Sequence, residues 1–161
     1  MVLSHGAHSP RGNGSMSAFS ILSSGVVDAI MCDVAVIASD APSTQEFCKC
    51  KALWDTGAVF SVISRRLATQ LGLMPIDKGF AYTVQGTYEP SVYLLDVMLP
   101  NGMVVKNLHV SDGDFDDCDV LIGMDIIKLG DLQISNYGQT KFIFRIPAEP
   151  SPIQCFQPAI E

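Results

Sequence analysis

A small all-β domain, either a closed barrel or a sandwich, is the fold class this sequence predicts, and three observations predict it. Short runs of β-branched and aromatic residues recur along the chain. Turn signals separate them, among them Ser39-Asp40-Ala41-Pro42-Ser43, Gln85-Gly86-Thr87 and Pro100-Asn101-Gly102. Only two segments carry helical spacing, and both are short. With 161 residues and 48% hydrophobic content, one such domain buries a sufficient core without disulfides or a metal.

The elements follow in order. Residues 1–25, rich in Ser, Gly, His and Pro and without periodicity, read as a flexible N-terminal arm, and the domain is expected over residues 26–147. Asp28 to Ala38 and Phe47 to Trp54 read as strands, and after a turn at Asp55, Val59 to Ile63 reads as a short third. Ser64 has the chemistry of an N-cap for a two-turn helix, Arg65 to Leu71, which Gly72 stops. Leu67 and Leu71, at i and i+4, face the core. Phe80 to Val84 and Tyr88 to Val92 flank Gln85-Gly86-Thr87 as a hairpin, and Tyr93 to Leu99 pairs with Val104 to Val110. A short helix from Met124 to Leu129 and strands at Leu132 to Ser135 and Lys141 to Ile146 complete the body. Pro147, Pro150, Pro152 and Pro158 make residues 148–161 an irregular tail.

Composition excludes several function classes. The net charge is -7, with Asp112, Asp114, Asp116, Asp117 and Asp119 gathered in what reads as one solvated acidic turn. No Lys/Arg cluster follows a phosphate backbone, so no nucleic acid partner is expected. Asp28, Asp33 and Asp40 interrupt the most apolar stretch, so no membrane span is expected, and no secretory signal is apparent. Five cysteines at irregular spacing argue against a disulfide framework, and Cys48-Lys49-Cys50 is poorly spaced for zinc. Reduced thiols and a cytoplasmic location are the expectation, with no metal and no cofactor. The alternation of Asp112, Asp114 and Asp116 is not a calcium loop, because Asp117 and Gly123 stand where that loop needs glycine and glutamate.

The segment that carries chemistry is Asp55-Thr56-Gly57-Ala58, between Ala52-Leu53-Trp54 and Val59-Phe60-Ser61-Val62-Ile63. A carboxylate between apolar runs is expected to be buried, and must then be paired, be satisfied by backbone donors, or do chemistry. Gly57 allows a tight turn that brings amide N–H groups to that carboxylate. Trp54 reads as core, since successive strand residues point to opposite sides.

These residues, with the Ser64 to Gly72 helix, the hairpin around Gly86 and the later Val120-Leu121-Ile122-Gly123-Met124-Asp125, resemble the retropepsin-like (retroviral-type) aspartic proteases, in their cellular and bacterial single-domain branch. The resemblance covers roughly Asp28 to Ile146. It implies a closed β-barrel of that type with one or two short helices, active as a homodimer on a polypeptide substrate. Asp55 matches the catalytic aspartate. Thr56 matches the residue whose hydroxyl reaches the other subunit's loop, Gly57 the donor to the carboxylate, and Ala58 the small residue beside it. Ile122 and Gly123 match the segment beneath the catalytic loop. Gln85, Gly86, Thr87 and Tyr88 match the flap over bound peptide.

The chemistry agrees with a dimer. Peptide hydrolysis by water needs a base and an acid, and two adjacent carboxylates sharing one proton supply both. The chain holds a single Asp-Thr-Gly, so the second carboxylate must come from a second copy. Activity is then expected at acidic to near-neutral pH. Asp125 reads as a structural ion-pair partner, and Met124-Asp125 departs from the Arg-Asn common in viral members. The alternative is a catalytically silent dimeric peptide-binding or scaffold module on the same fold.

Overall fold

A computed structural model describes residues 17–79, 81–83 and 86–148. Strand β1 (Ser17–Leu22) leads to β2 (Met31–Ala38) and β3 (Cys48–Trp54). A sharp turn then precedes the short β4 (Val62–Ser64) and helix α1 (Arg65–Gln70). The two-residue β5 (Asp77–Lys78) comes before a hairpin of β6 (Ala81–Thr83) and β7 (Gly86–Tyr88). Strands β8 (Ser91–Met98), β9 (Val104–Gly113) and β10 (Val120–Ile122) follow, then helix α2 (Met124–Ile127), β11 (Asp131–Ser135) and β12 (Lys141–Ile146).

In space β2, β3, β10, β4, β9 and β8 lie side by side, and β8 returns to β2. The result is the closed barrel, not the sandwich. Its strand directions are mixed: β10 runs parallel to β3, β4 runs parallel to β9, and the other barrel pairs are antiparallel. Alternation places the core. Tyr93, Leu95 and Val97 of β8 are buried, as are Val34 and Val36 of β2 and Ala52 and Trp54 of β3. Ile63, Ile122 and Ile126 are fully buried beneath the loop that carries Asp55.

A second sheet, in the order β1, β12, β11, covers one end of the barrel. Its inner face contributes Phe19, Phe142 and Phe144, which gather around Trp54 with ring centroids 4.8–6.1 Å apart. The Trp54 Nε1–H donates to Cys32 Sγ at 3.2 Å, so its polar edge is satisfied inside. Trp54 is core, as its strand position predicted. Among the described residues, no helix is long and apolar enough to cross a membrane.

Several expectations need correction. Ser17–Leu22 lies inside the stretch read as a flexible arm, yet it pairs with β12 over its full length. Phe19 and Ile21 alternate there with small residues, a two-residue period too short to stand out in a Ser-rich segment. Residues 1–16 and 149–161, the rest of the expected arm and nearly all of the expected tail, lie outside the described residues. The third strand starts at Val62 rather than Val59, because residues 55–60 are consumed by the turn. The hairpin pairs Ala81–Thr83 with Gly86–Tyr88, and Ser91 already belongs to β8; Pro90, which has no N–H, separates the two. Asp112 is not in a solvated turn: it sits near the end of β9, is 5% exposed, and accepts from Ser91 N at 3.0 Å.

Candidate active site

Strand β3 delivers Asp55 to the rim of the barrel, immediately after buried Trp54. The Asp55 N–H donates to Ile122 O at 2.9 Å, which carries the parallel β3–β10 ladder one step further and sets where the side chain emerges. There the chain turns. Gly57 N donates to Asp55 Oδ1 at 2.8 Å, and Ala58 N to Asp55 O at 3.3 Å. A Cβ on residue 57 would stand 3.2 Å from that same Oδ1. Glycine is therefore the residue that lets the amide approach without crowding the carboxylate.

The far side of the turn is braced by α2. Met124 N donates to Ala58 O at 2.8 Å. Ser61, fully buried, donates from its backbone N to Asp125 Oδ2 at 2.8 Å and from its hydroxyl to Asp125 Oδ1 at 2.7 Å. Its oxygen in turn accepts from Gly123 N at 3.1 Å. Asp125 is thus held by serine and backbone donors, not by the ion pair the sequence suggested. The reason is reach: two carboxylate oxygens at the start of α2 face two donors of one residue. Gly123 fits so closely beneath the turn that a Cβ there would lie 2.6 Å from the carbonyl carbon of Phe60.

The turn itself is open. Asp55 is half-buried, Thr56 and Gly57 are exposed, and Val59 and Phe60 are 67% and 64% exposed. This corrects the expectation that apolar neighbours bury the carboxylate: they stand outside with it. Beside Asp55 runs a groove of about 390 Å³, lined by Asp28, Ile30, Leu53, Thr56, Leu132 and Ile134 among others. Asp28 is a lining residue that sequence reasoning passed over; it sits in a turn before β2, where nothing in the local pattern marks it.

The structure thus brings together Asp55, Thr56, Gly57, Ala58, Ile122 and Gly123. Of the flap candidates, Gly86, Thr87 and Tyr88 form β7, with Gly86 at φ 125°, and Gln85 lies outside the described residues. Among the described residues, no cluster of His, Cys, Asp and Glu could hold a metal ion. Burial pushes Cys32 up to about 11 and Cys50 up to about 12, so both stay protonated at neutral pH.

A family model described as "gag-polyprotein putative aspartyl protease" matches residues 46–129, just over half of the chain. Comparison with curated protein sequences returns no match. Among solved structures, a retropepsin-like aspartic protease from Rickettsia conorii aligns with a TM-score of 0.51 at 18% identity, over 82% of this chain and 95% of that one. At that identity the likeness is one of fold. EIAV protease, in complex with the inhibitor HBY-793, aligns at TM-score 0.47 and 19% identity, over 62% of this chain and 86% of its own. The retroviral protease-like domain of Ddi1 from Leishmania major aligns at TM-score 0.41 and 21% identity, over 64% and 79%. The matched segment spans the Asp55 turn, the hairpin and the Gly123 brace, and with the closed barrel around them the chain belongs to the retropepsin-like aspartic proteases.

Proposed function

We propose that this protein is an aspartic endopeptidase that works as a homodimer, with one Asp55 from each protomer at the reaction centre. One observation carries the reading: a single carboxylate is held by Gly57 N–H on an exposed, cross-braced turn, and Asp125, the acid tied to that turn from behind, is engaged by Ser61. A lone carboxylate can remove a proton from water but has no neighbour to return one to the carbonyl oxygen. Across a two-fold axis a second Asp55 provides that neighbour. One carboxylate takes the water proton as oxygen attacks the peptide carbonyl carbon, and the protonated partner donates to the carbonyl oxygen. Collapse of the tetrahedral intermediate then breaks the C–N bond, with a proton passed to the amine.

The other residues take supporting roles. Gly57 and the β3–β10 ladder position Asp55, Thr56 lies where the two turns would meet, and Gly123 and Ala58 keep the turn seated. The hairpin of Gly86, Thr87 and Tyr88 covers an extended peptide, which is bound by strand addition. Incubation of the protein with a peptide mixture across pH 4–8, with solution mass measured in parallel, tests this. Cleavage by a dimer, abolished in Asp55→Asn with mass and fold unchanged, is the expected result. Retained cleavage by Asp55→Asn, or no cleavage by an intact native dimer, overturns it; the second outcome leaves a peptide-binding module.

A further inference from the structure

Asp112 is a buried carboxylate that the proposed chemistry does not use. It stands near the end of β9, which lies between β4, the strand that leaves the Asp55 turn, and β8, the strand that leaves the β6–β7 hairpin. In the parallel β4–β9 ladder Asp112 is level with Ile63. On the other side the β8–β9 ladder reaches Val92 opposite Ser111. One step beyond, the Asp112 side chain takes over: Ser91 N donates to its Oδ1 at 3.0 Å. Its Oδ2 lies 3.4 Å from Nε of Arg65, the first residue of α1, whose Nη1 donates to Asp114 Oδ2 at 2.6 Å. Only Glu89 and Pro90 separate Ser91 from Tyr88, the last residue of the hairpin.

Stability alone does not account for these residue types. At 5% exposure a charge carries a desolvation cost that one ion pair offsets poorly, and an amide would accept the Ser91 N–H without it. Arg65 likewise stands in the first turn of a helix, where the macrodipole disfavours a cation. Each choice is locally unfavourable, and together they make one fixed link between the hairpin root and α1. We infer that Asp112 is a positioning residue: through Ser91 and Arg65 it ties the root of the hairpin to the start of α1, which follows β4 directly, and so sets the angle at which the hairpin meets a bound peptide. β5 holds the other side of the same root, with Gly79 N donating to Pro90 O at 2.8 Å. Asp112 is therefore the tie on the side of the Asp55 turn. This inference rests on the reading of the hairpin as the cover of an extended peptide, and it names the residue that seats that cover.

The test breaks the link from both ends. Asp112→Asn keeps an acceptor for Ser91 N and removes the charge. Arg65→Gln removes the same link from a side chain that is 50% exposed, a change the fold should tolerate. In each variant, hydrogen exchange at the Thr87 and Tyr88 amides should quicken about fivefold. KM for peptide should rise about fivefold, with kcat within about twofold of the native value. The double variant should match the single ones, because the same link is lost in all three. Native-like exchange and KM in both single variants overturn the inference, as does a double variant in which the two effects multiply. A uniform rise in exchange across the barrel with a lower urea midpoint also overturns it, since Asp112 would then only hold the fold. Exchange needs no turnover, so the two readings fail separately. Faster hairpin exchange in the variants of a protein that cleaves nothing sinks the protease and keeps the link, while native cleavage with unaffected variants sinks only the link.

Discussion

The Asp55 turn and the β6–β7 hairpin are both glycine-bearing turns on the same barrel, and they are held in opposite ways. The Asp55 turn is tied to its surroundings by Ile122 O, Met124 N and the Ser61–Asp125–Gly123 network, with Gly123 packed against its backbone. Among the described residues, the strands of the hairpin pair with each other in a separate two-stranded sheet, and a Cβ at Gly86 would meet no atom within 4 Å. On the proposed reading, a carboxylate that meets its twin within hydrogen-bonding distance needs a rigid mount. On the same reading, a hairpin that covers and releases a peptide needs weak ties.

If that contrast is right, substitutions should separate along it. The largest effect is expected from Gly123→Ala, whose methyl would overlap the Phe60 carbonyl at 2.6–2.7 Å. Backbone on both sides leaves no flexible side chain to yield, so a loss of roughly 3 kcal/mol or more should appear in urea unfolding, together with lost cleavage. Asp125→Ala comes next. It strands the buried Ser61 N–H and hydroxyl, a cost of about 1–3 kcal/mol, and loosens the mount of Asp55. Turnover should fall more than peptide affinity, and unchanged turnover would show that the network only holds the fold.

A third effect belongs to the strands beneath the turn. The thiols of Cys32 and Cys50 are raised mainly by burial, so above about pH 9 the unfolded chain loses protons that the folded chain keeps. Stability is therefore intact below pH 9 and falls as pH rises toward 11–12, by at most about 1.4 kcal/mol per pH unit per thiol. The gap in melting temperature between the native chain and Cys50→Ala should stay constant from pH 7 to about 9 and narrow at the alkaline end, where the native chain loses stability through its buried thiol. The smallest effect on stability is expected at the hairpin. Gly86→Ala strains a φ of 125° that few side chains adopt, but the strain stays local. Global stability should change by less than about 0.5 kcal/mol, while KM for peptide rises severalfold. A large drop in melting temperature would instead make the hairpin part of the core.

Much of this was legible from local chemistry. The Ser64 N-cap, confirmed by Leu67 N donating to its hydroxyl at 3.2 Å, follows from residue type and position. So do the barrel strands, since alternation in β2, β3 and β8 reports their inner face. The candidate site was legible as far as Asp55-Thr56-Gly57-Ala58 and Ile122-Gly123, because tight turns demand particular residues. What stayed hidden involves segments far apart in the chain. Asp112 looked like one of five solvated acids until β9 carried it under Arg65 and Ser91. Val59 and Phe60 looked like strand core until the turn pushed them outside.

By itself, then, the sequence determined the class of fold, the turn that bears Asp55 and the glycines that shape it, because periodicity and turn chemistry act over a few residues. Only the tertiary structure decided that Asp125 grips Ser61, that β1 joins the second sheet, that Asp28 borders the groove, and that Leu132 and Ile134 of β11 line it beside Asp55. Each of these depends on which distant segments meet, and pairing energy between distant segments leaves no mark on local sequence.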